Sequence, residues 1–170
     1  EERASFENLI EEKELRLVKL ISTHSHLDHV FGNAFVAKKY NLKLEAHKGE
    51  QIVLNAAEIA AKMYGLQLEK SPNIEIFLEA GNTLSFGNTT FEMLFTPGHS
   101  PASLSFFCRA DDFVIAGDVL FLESIGRCVL KELLDFFRCR RQPRQIKIGP
   151  ADENPLFSSR IRLEVLFFKF

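Results

Sequence analysis

Hydrophobic residues recur at helical spacing in some segments of this chain and at strand spacing in others. Spacings of three to four residues predict the helices, and short β-branched or alternating runs predict the strands. The predicted helices are Ala4–Lys13, Val30–Tyr40 and Gln51–Met63. The predicted strands are Arg16–Ser22, Leu42–Ala46, Ile74–Leu78, Thr83–Phe86, Thr89–Phe95, Ser103–Cys108 and Phe113–Ala116. Helices that alternate with strands, followed by a run of hairpins, indicate a layered α/β domain.

The character of the sequence changes near residue 127. We therefore predict a folded core over residues 1–127 and a divergent tail over residues 128–170. The tail begins with the amphipathic segment Val129–Phe137, which predicts a helix, and continues into a poorly ordered segment. Its end, Ile161–Phe170, is apolar and β-prone, a composition that promotes aggregation where it stays exposed.

Composition narrows the functional classes. The chain has 170 residues, 46% of them hydrophobic, and a formal net charge of -2, which fits one globular domain. This charge balance gives no general attraction to nucleic acid or to anionic membranes, and no apolar run approaches the about 20 residues of a membrane helix. Three cysteines without a CxxC pair predict reduced thiols in a cytoplasmic protein.

Candidate metal ligands are concentrated in three loops that follow predicted strands. The candidates are His24, His26, Asp28 and His29 in the pattern H-x-H-x-D-H, His99 in Thr96-Pro97-Gly98-His99-Ser100, and Asp118 after Gly117. In an extended loop, His24 and His26 point to the same side and can grip one metal. A tight bend at Gly98 brings His99 to that metal. By contrast, His47 is interpreted as an ordinary polar side chain.

The segment Thr23–His29 resembles the defining motif of the metallo-β-lactamase superfamily. Further segments resemble the short bacterial glyoxalase II (hydroxyacylglutathione hydrolase) branch: Phe31–Ala34, Glu45–Lys48, Phe86–Thr89, Thr96–Pro101, Gly117–Phe121 and Ser124–Arg127. The resemblance implies an α/β fold, an αββα sandwich with a dinuclear site on one edge. By the same resemblance His24, His26 and His99 hold one metal, Asp28 and His29 hold a second, and Asp118 bridges them.

The implied cofactor is zinc, in one or two sites, with iron or manganese as alternatives. The implied reaction is hydrolysis of a small-molecule thioester by metal-activated water, with a catalytic role for Asp28. The sequence departs from the family at both ends: the chain opens at the family's first helix, and no histidine follows His99. We therefore expect a fold that is incomplete at both ends, with Asp152 as a weak substitute for the last ligand.

Three other functions stay open at this stage. A mononuclear iron persulfide dioxygenase uses a similar first-site triad, here His24 and His26 with either His99 or Asp118. Metal content together with oxygen uptake separates it from a hydrolase. A truncated, catalytically inactive family member is the second. A nucleic-acid function is the least favoured, because the basic cluster Arg138, Arg140, Arg141, Arg144 and Lys147 contains no interleaved aromatic residues.

Overall fold

The structure, a computed structural model, describes residues 2–121, 124–125 and 165–166. Its first half forms helices and short parallel strands. These elements are α1 (Glu2–Glu12), β1 (Lys19–Ile21), α2 (Leu27–Val30), α3 (Asn33–Tyr40), β2 (Leu44–Ala46), a 3₁₀ turn (Lys48–Glu50), α4 (Gln51–Met63) and β3 (Ile74–Phe77).

The second half is built from hairpins. Its elements are β4 (Thr83–Phe86), β5 (Thr89–Phe95), β6 (Leu104–Cys108), β7 (Phe113–Ile115), a second 3₁₀ turn (Gly117–Val119), β8 (Leu120–Phe121), β9 (Ser124–Ile125) and β10 (Val165–Leu166). Strands β4 to β7 form an antiparallel sheet in chain order, which we call the second sheet. The first sheet is parallel, in the order β10, β1, β2, β3.

Alternation along β1 explains how the layers stack. Successive side chains of a strand point to opposite faces of its sheet. Leu20 packs with helix residues such as Val36 and Leu54, whereas its neighbour Ile21 packs with Phe91 of the second sheet. One helix layer therefore covers the outer face of the first sheet, and the main apolar core lies between the two sheets. This arrangement confirms the predicted α/β class.

The predicted elements are found, with changes at their ends. Helix α4 and strands β4 and β5 have the predicted limits, and the remaining strands are shorter because pairing with a neighbour covers only part of each apolar run. The prediction of one continuous helix over Val30–Tyr40 is wrong. The chain instead turns at Phe31 and Gly32, so that the short α2 belongs to the histidine loop and α3 packs on the first sheet.

Helix α4 presents one apolar face outward. Leu54, Ala57 and Ala61 are buried against the first sheet, whereas Ile52 and Ile59 on another side are 72% and 65% exposed. The periodicity alone does not distinguish these two faces, since both carry apolar residues. No helix within the described ranges is long and apolar enough to span a membrane.

Some predictions lie outside the described residues. These are the helix over Val129–Phe137, the basic cluster at residues 138–147, Asp152, and the thiols of Cys128 and Cys139. Cys108 is described, and it is a buried free thiol. Within the β-prone terminal segment, Val165–Leu166 pairs in parallel with β1.

Candidate metal centre

The chain brings the candidate ligands together at one end of the two sheets. The loop after β1 carries His24 and His26 and runs directly into α2, where His29 lies. The loop after β5 carries His99, and the 3₁₀ turn after β7 carries Asp118. A backbone hydrogen bond from Leu104 N to Thr23 O, 2.9 Å long, joins the first of these loops to the second sheet. Both sheets therefore contribute side chains to one site.

Three imidazoles form the first group of ligands. The ligand atoms of His24, His26 and His99 all lie within 4.8 Å of one another. The ring of His24 is 4.8 Å from that of His26 and 4.9 Å from that of His99, measured between centroids. His26 Nδ1 lies 2.8 Å from His99 Nε2. The three rings are therefore close enough for one cation to reach all of them.

A second group lies beside the first. It contains His24, His29 and Asp118, whose ligand atoms also lie within 4.8 Å of one another. Asp28, which the family resemblance assigns to a second metal, lies at its edge: its Oδ2 is 3.5 Å from His29 Nε2, and the side chain is 45% exposed. The geometry therefore places His24 in this group and Asp28 next to it, at the side open to solvent.

Asp118 connects the two groups. Its Oδ1 is 3.4 Å from His29 Nε2, and its Oδ2 is 3.7 Å from His99 Nε2. A carboxylate can use its two oxygens on two cations at once, and this side chain is only 13% exposed. One carboxylate oxygen of Asp118 thus faces a histidine of each group.

The surroundings of His24 fit a metal ligand. Its ring is buried, and its Nε2 has no hydrogen-bond partner among the described residues. Nδ1 lies 3.1 Å from Thr23 Oγ1, so a ring that offers Nε2 to a metal can donate its Nδ1 proton to the threonine. A buried imidazole nitrogen without a partner is costly unless something binds it. A divalent metal would satisfy this atom, so the residues present fit such a cofactor.

Burial keeps the imidazoles of His24 and His26 neutral, the form that binds metals. Desolvation lowers the pKa of His24 from 6.5 to about 2, with smaller contributions in the same direction from His29, His26 and His99. Desolvation also lowers the pKa of His26, followed by the effect of His99, although Glu50 and Asp28 oppose the shift. Both rings are therefore unprotonated at neutral pH.

Two glycines give the loops the shape that the site needs. Gly98 has a φ of +138°, and its N–H donates to Ser100 O over 3.0 Å, which closes the bend before His99. Gly117 has a φ of +54°, and a Cβ there would lie 2.6 Å from Thr23 Oγ1. Only glycine therefore lets the turn that carries Asp118 approach the histidine loop this closely.

Glu50 also belongs to the surroundings of the site, although no local sequence pattern marks it. This carboxylate is fully buried and accepts hydrogen bonds from both histidine loops. An isolated glutamate before a predicted helix gives no local signal of such a contact, because the loops are 25 and 50 residues away in the chain. His47 lies outside both ligand groups; its Nδ1 accepts from Gly49 N over 3.1 Å.

Comparison with known proteins identifies the family to which this fold belongs. The sequence profile of the Metallo-beta-lactamase superfamily matches residues 1–156. The chain belongs to this superfamily. The α/β fold predicted as an αββα sandwich is the metallo-β-lactamase fold, which the structural neighbours share.

The chain is similar in sequence to a probable metallo-hydrolase and to a hydroxyacylglutathione hydrolase. It is 35% identical over 120 residues to the probable metallo-hydrolase YqgX of Bacillus subtilis, covering 69% of this chain and 56% of that protein. It is 31% identical over 125 residues to the hydroxyacylglutathione hydrolase GloC of Haemophilus influenzae, covering 69% and 57%. The chain thus spans somewhat more than half the length of these relatives.

A solved structure extends the likeness to three dimensions. The structure of TTHA1623 in a di-iron-bound form superimposes with a TM-score of 0.74 and 29% identity, covering 88% of this chain and 77% of that one.

Proposed function

We propose that this chain is the core of a metal-dependent hydrolase of small-molecule thioesters, similar to hydroxyacylglutathione hydrolase. The observation that carries the proposal is the position of Asp118, whose oxygens face His29 on one side and His99 on the other. A mononuclear dioxygenase would need only one triad of ligands, His24 and His26 with His99 or Asp118. Two adjacent groups, with Asp118 near His29 of one and His99 of the other, support a dinuclear hydrolase instead, as does the likeness to a di-iron-bound relative.

In this proposal the two groups hold zinc, or iron or manganese, since imidazole and carboxylate ligands suit all three. His24, His26 and His99 would hold the first metal, Asp28 and His29 would hold the second, and Asp118 would serve both. Bound metal would polarise the substrate carbonyl and lower the pKa of water. We further propose that the protein acts in the cytoplasm on a soluble thioester rather than on nucleic acid or at a membrane.

The protein's own groups supply orientation and proton transfer. Thr23 Oγ1 can accept the Nδ1 proton of His24, which orients the ring, and burial keeps His24 and His26 neutral. Asp28 is the candidate ligand most exposed to solvent, with its Oδ2 beside His29 Nε2. We assign it the catalytic role of accepting a proton from the attacking water and returning it to the leaving thiolate.

The test combines metal analysis of the purified protein with an S-lactoylglutathione assay. We expect two equivalents of metal and thioester hydrolysis that a chelator abolishes. His26→Ala should remove one equivalent and all metal-dependent turnover, because it deletes one of three imidazoles of the first group. His47→Asn, which also removes an imidazole but lies outside both groups, should keep both equivalents. Turnover that survives in His26→Ala would refute the proposal, and oxygen uptake with a persulfide substrate would favour the dioxygenase.

A further inference from the structure

Glu50 is a buried carboxylate whose role the ligand set does not explain. It ends the 3₁₀ turn that precedes α4, and its exposure is 0%. No lysine or arginine within the described part of the chain forms an ion pair with it. An ionised carboxylate in such a place is costly unless hydrogen bonds replace its water, so its partners indicate why it is there.

Those partners belong to the two histidine loops. Glu50 Oε2 accepts from Ser25 N over 2.8 Å, and Oε1 accepts from Ala102 N over 2.8 Å. Ser100 Oγ lies 2.8 Å from both oxygens and donates to the carboxylate. Hydrogen bonds from backbone N–H groups to an ionised carboxylate are stronger than neutral ones.

Two of the three donor residues are immediate neighbours of candidate metal ligands, and the third, Ala102, lies in the same loop as His99. Ser25 lies between His24 and His26, and Ser100 follows His99. The first loop continues from β1 in the first sheet, and the second continues from β5 in the second sheet. A single side chain therefore fixes the separation of the two backbone segments that carry all three imidazoles of the first group.

The position of α4 makes this contact favourable. Glu50 lies at the amino end of a 13-residue helix, where the helix dipole favours a negative charge. The preceding Gly49 lies directly against the second loop, since a Cβ at Gly49 would be 2.7 Å from Ala102 Cβ. The close approach lets a glutamate side chain reach both loops at once.

We propose that Glu50 is a positioning residue for the first metal group, which holds the His24–His26 loop and the His99 loop at the separation that one cation requires. The inference rests on the metal-dependent function proposed above, but it concerns metal binding rather than turnover. It predicts that the carboxylate matters through hydrogen bonds to Ser25 and Ala102, and not through contact with substrate.

The decisive variant is Glu50→Gln, which keeps the shape but turns an NH₂ group toward one of the backbone donors. We expect the affinity for Co²⁺, measured by chelator competition, to fall about 10- to 100-fold, as for other residues that orient metal ligands. The absorption spectrum of bound Co²⁺ should change, because the imidazoles are displaced. We also expect kcat to fall while KM changes little, since the fully buried Glu50 is not placed to touch the substrate.

Glu45→Gln is the matched control. Glu45, in β2, is also a buried carboxylate, but its side-chain oxygens pair with Lys19 Nζ, the nearer over 2.8 Å, rather than with the donors that bind Glu50. The Glu45→Gln variant should leave the affinity for Co²⁺ and the absorption spectrum of bound Co²⁺ unchanged. Ser100→Ala, which removes one hydroxyl and keeps both backbone contacts, should produce a smaller loss of affinity and a smaller spectral change, and it serves if Glu50→Gln fails to fold.

Unchanged Co²⁺ affinity and spectrum in folded Glu50→Gln, or in Ser100→Ala where the glutamine variant fails to fold, would overturn the inference. An equal loss in Glu45→Gln would overturn it as well, because the effect would then be one of general stability. A wild-type protein that binds Co²⁺ without hydrolysing thioesters would refute the proposed function only. Wild-type protein that binds no Co²⁺ would overturn both.

Discussion

His24 combines the two properties that distinguish a buried ligand from a surface histidine. Its Nε2 is buried without a partner among the described residues, and its pKa is lowered to about 2. Between that value and the ordinary 6.5, the unfolded chain binds one more proton than the folded chain. The free energy of unfolding therefore rises with pH across this window. The contribution of His24 is complete above pH 6.5 and is lost as the pH falls through the window.

At the residue scale, this linkage gives a pH prediction for the metal-free protein. From about pH 7.5 to about pH 5.5, His24 alone should lower the free energy of unfolding by about 1.4 kcal/mol. The lowered pKa of His26 acts in the same direction. Urea denaturation at both pH values, in the presence of chelator, measures the change. In His24→Asn the free energy of unfolding should depend less on pH, because the proton uptake of one histidine is removed. If the wild type and the variant showed the same pH dependence, the lowered pKa of His24 would be contradicted.

At the scale of elements, the 3₁₀ turn Gly117–Val119 decides whether Asp118 reaches the histidines. We predict that Gly117→Ala lowers both stability and metal content, because a Cβ would lie 2.6 Å from Thr23 Oγ1 and 3.0 Å from Thr23 Cβ. The positive φ adds a cost of about 1–2 kcal/mol. Denaturation and metal analysis of the purified variant measure the two effects.

Gly65→Ala separates backbone strain from collision. Gly65 has a φ of +70°, yet within the described part of the chain no atom beyond its immediate neighbours lies within 4 Å of a Cβ placed there. This control should lose a similar amount of stability from strain, about 1–2 kcal/mol, and keep its full metal content. If Gly117→Ala retains as much metal as Gly65→Ala, the turn does not limit the approach of Asp118.

At the scale of the whole molecule, the site joins the two sheets. His24 and His26 follow a strand of the first sheet, whereas His99 and Asp118 follow strands of the second. A metal that binds the folded chain but not the unfolded chain stabilises it by mass action, by about 2.7 kcal/mol at a free concentration 100 times the Kd. We predict that chelator lowers the thermal midpoint and that added zinc restores it in a concentration-dependent way.

His99→Ala is the control for this prediction. It removes the ligand contributed by the loop after β5, so chelator should change its midpoint far less than that of the wild type. Equal chelator effects in the two proteins would show that the metal acts elsewhere.

The sequence alone predicted the elements that depend on local patterns. The turn glycines and alternating apolar residues fixed β4 and β5, and the H-x-H-x-D-H pattern identified the first loop as a source of metal ligands. The predicted helix over Val30–Tyr40 was wrong at Phe31 and Gly32. The helical spacing of apolar residues continues there, but the chain turns, and His29 lies in the short helix before the turn. The outward apolar face of α4 was equally undetermined, because periodicity does not say which face meets a sheet.

The sequence by itself determined the kinds of ligand, their spacing within each loop and the layered α/β class, since these depend on residue type and on periods of two and about 3.6 residues. Only the tertiary structure decided that Asp118 lies between His29 and His99, and that Glu50 joins the two histidine loops. Those contacts join residues 19 to 89 positions apart in the chain, and a separation of that size carries no local pattern.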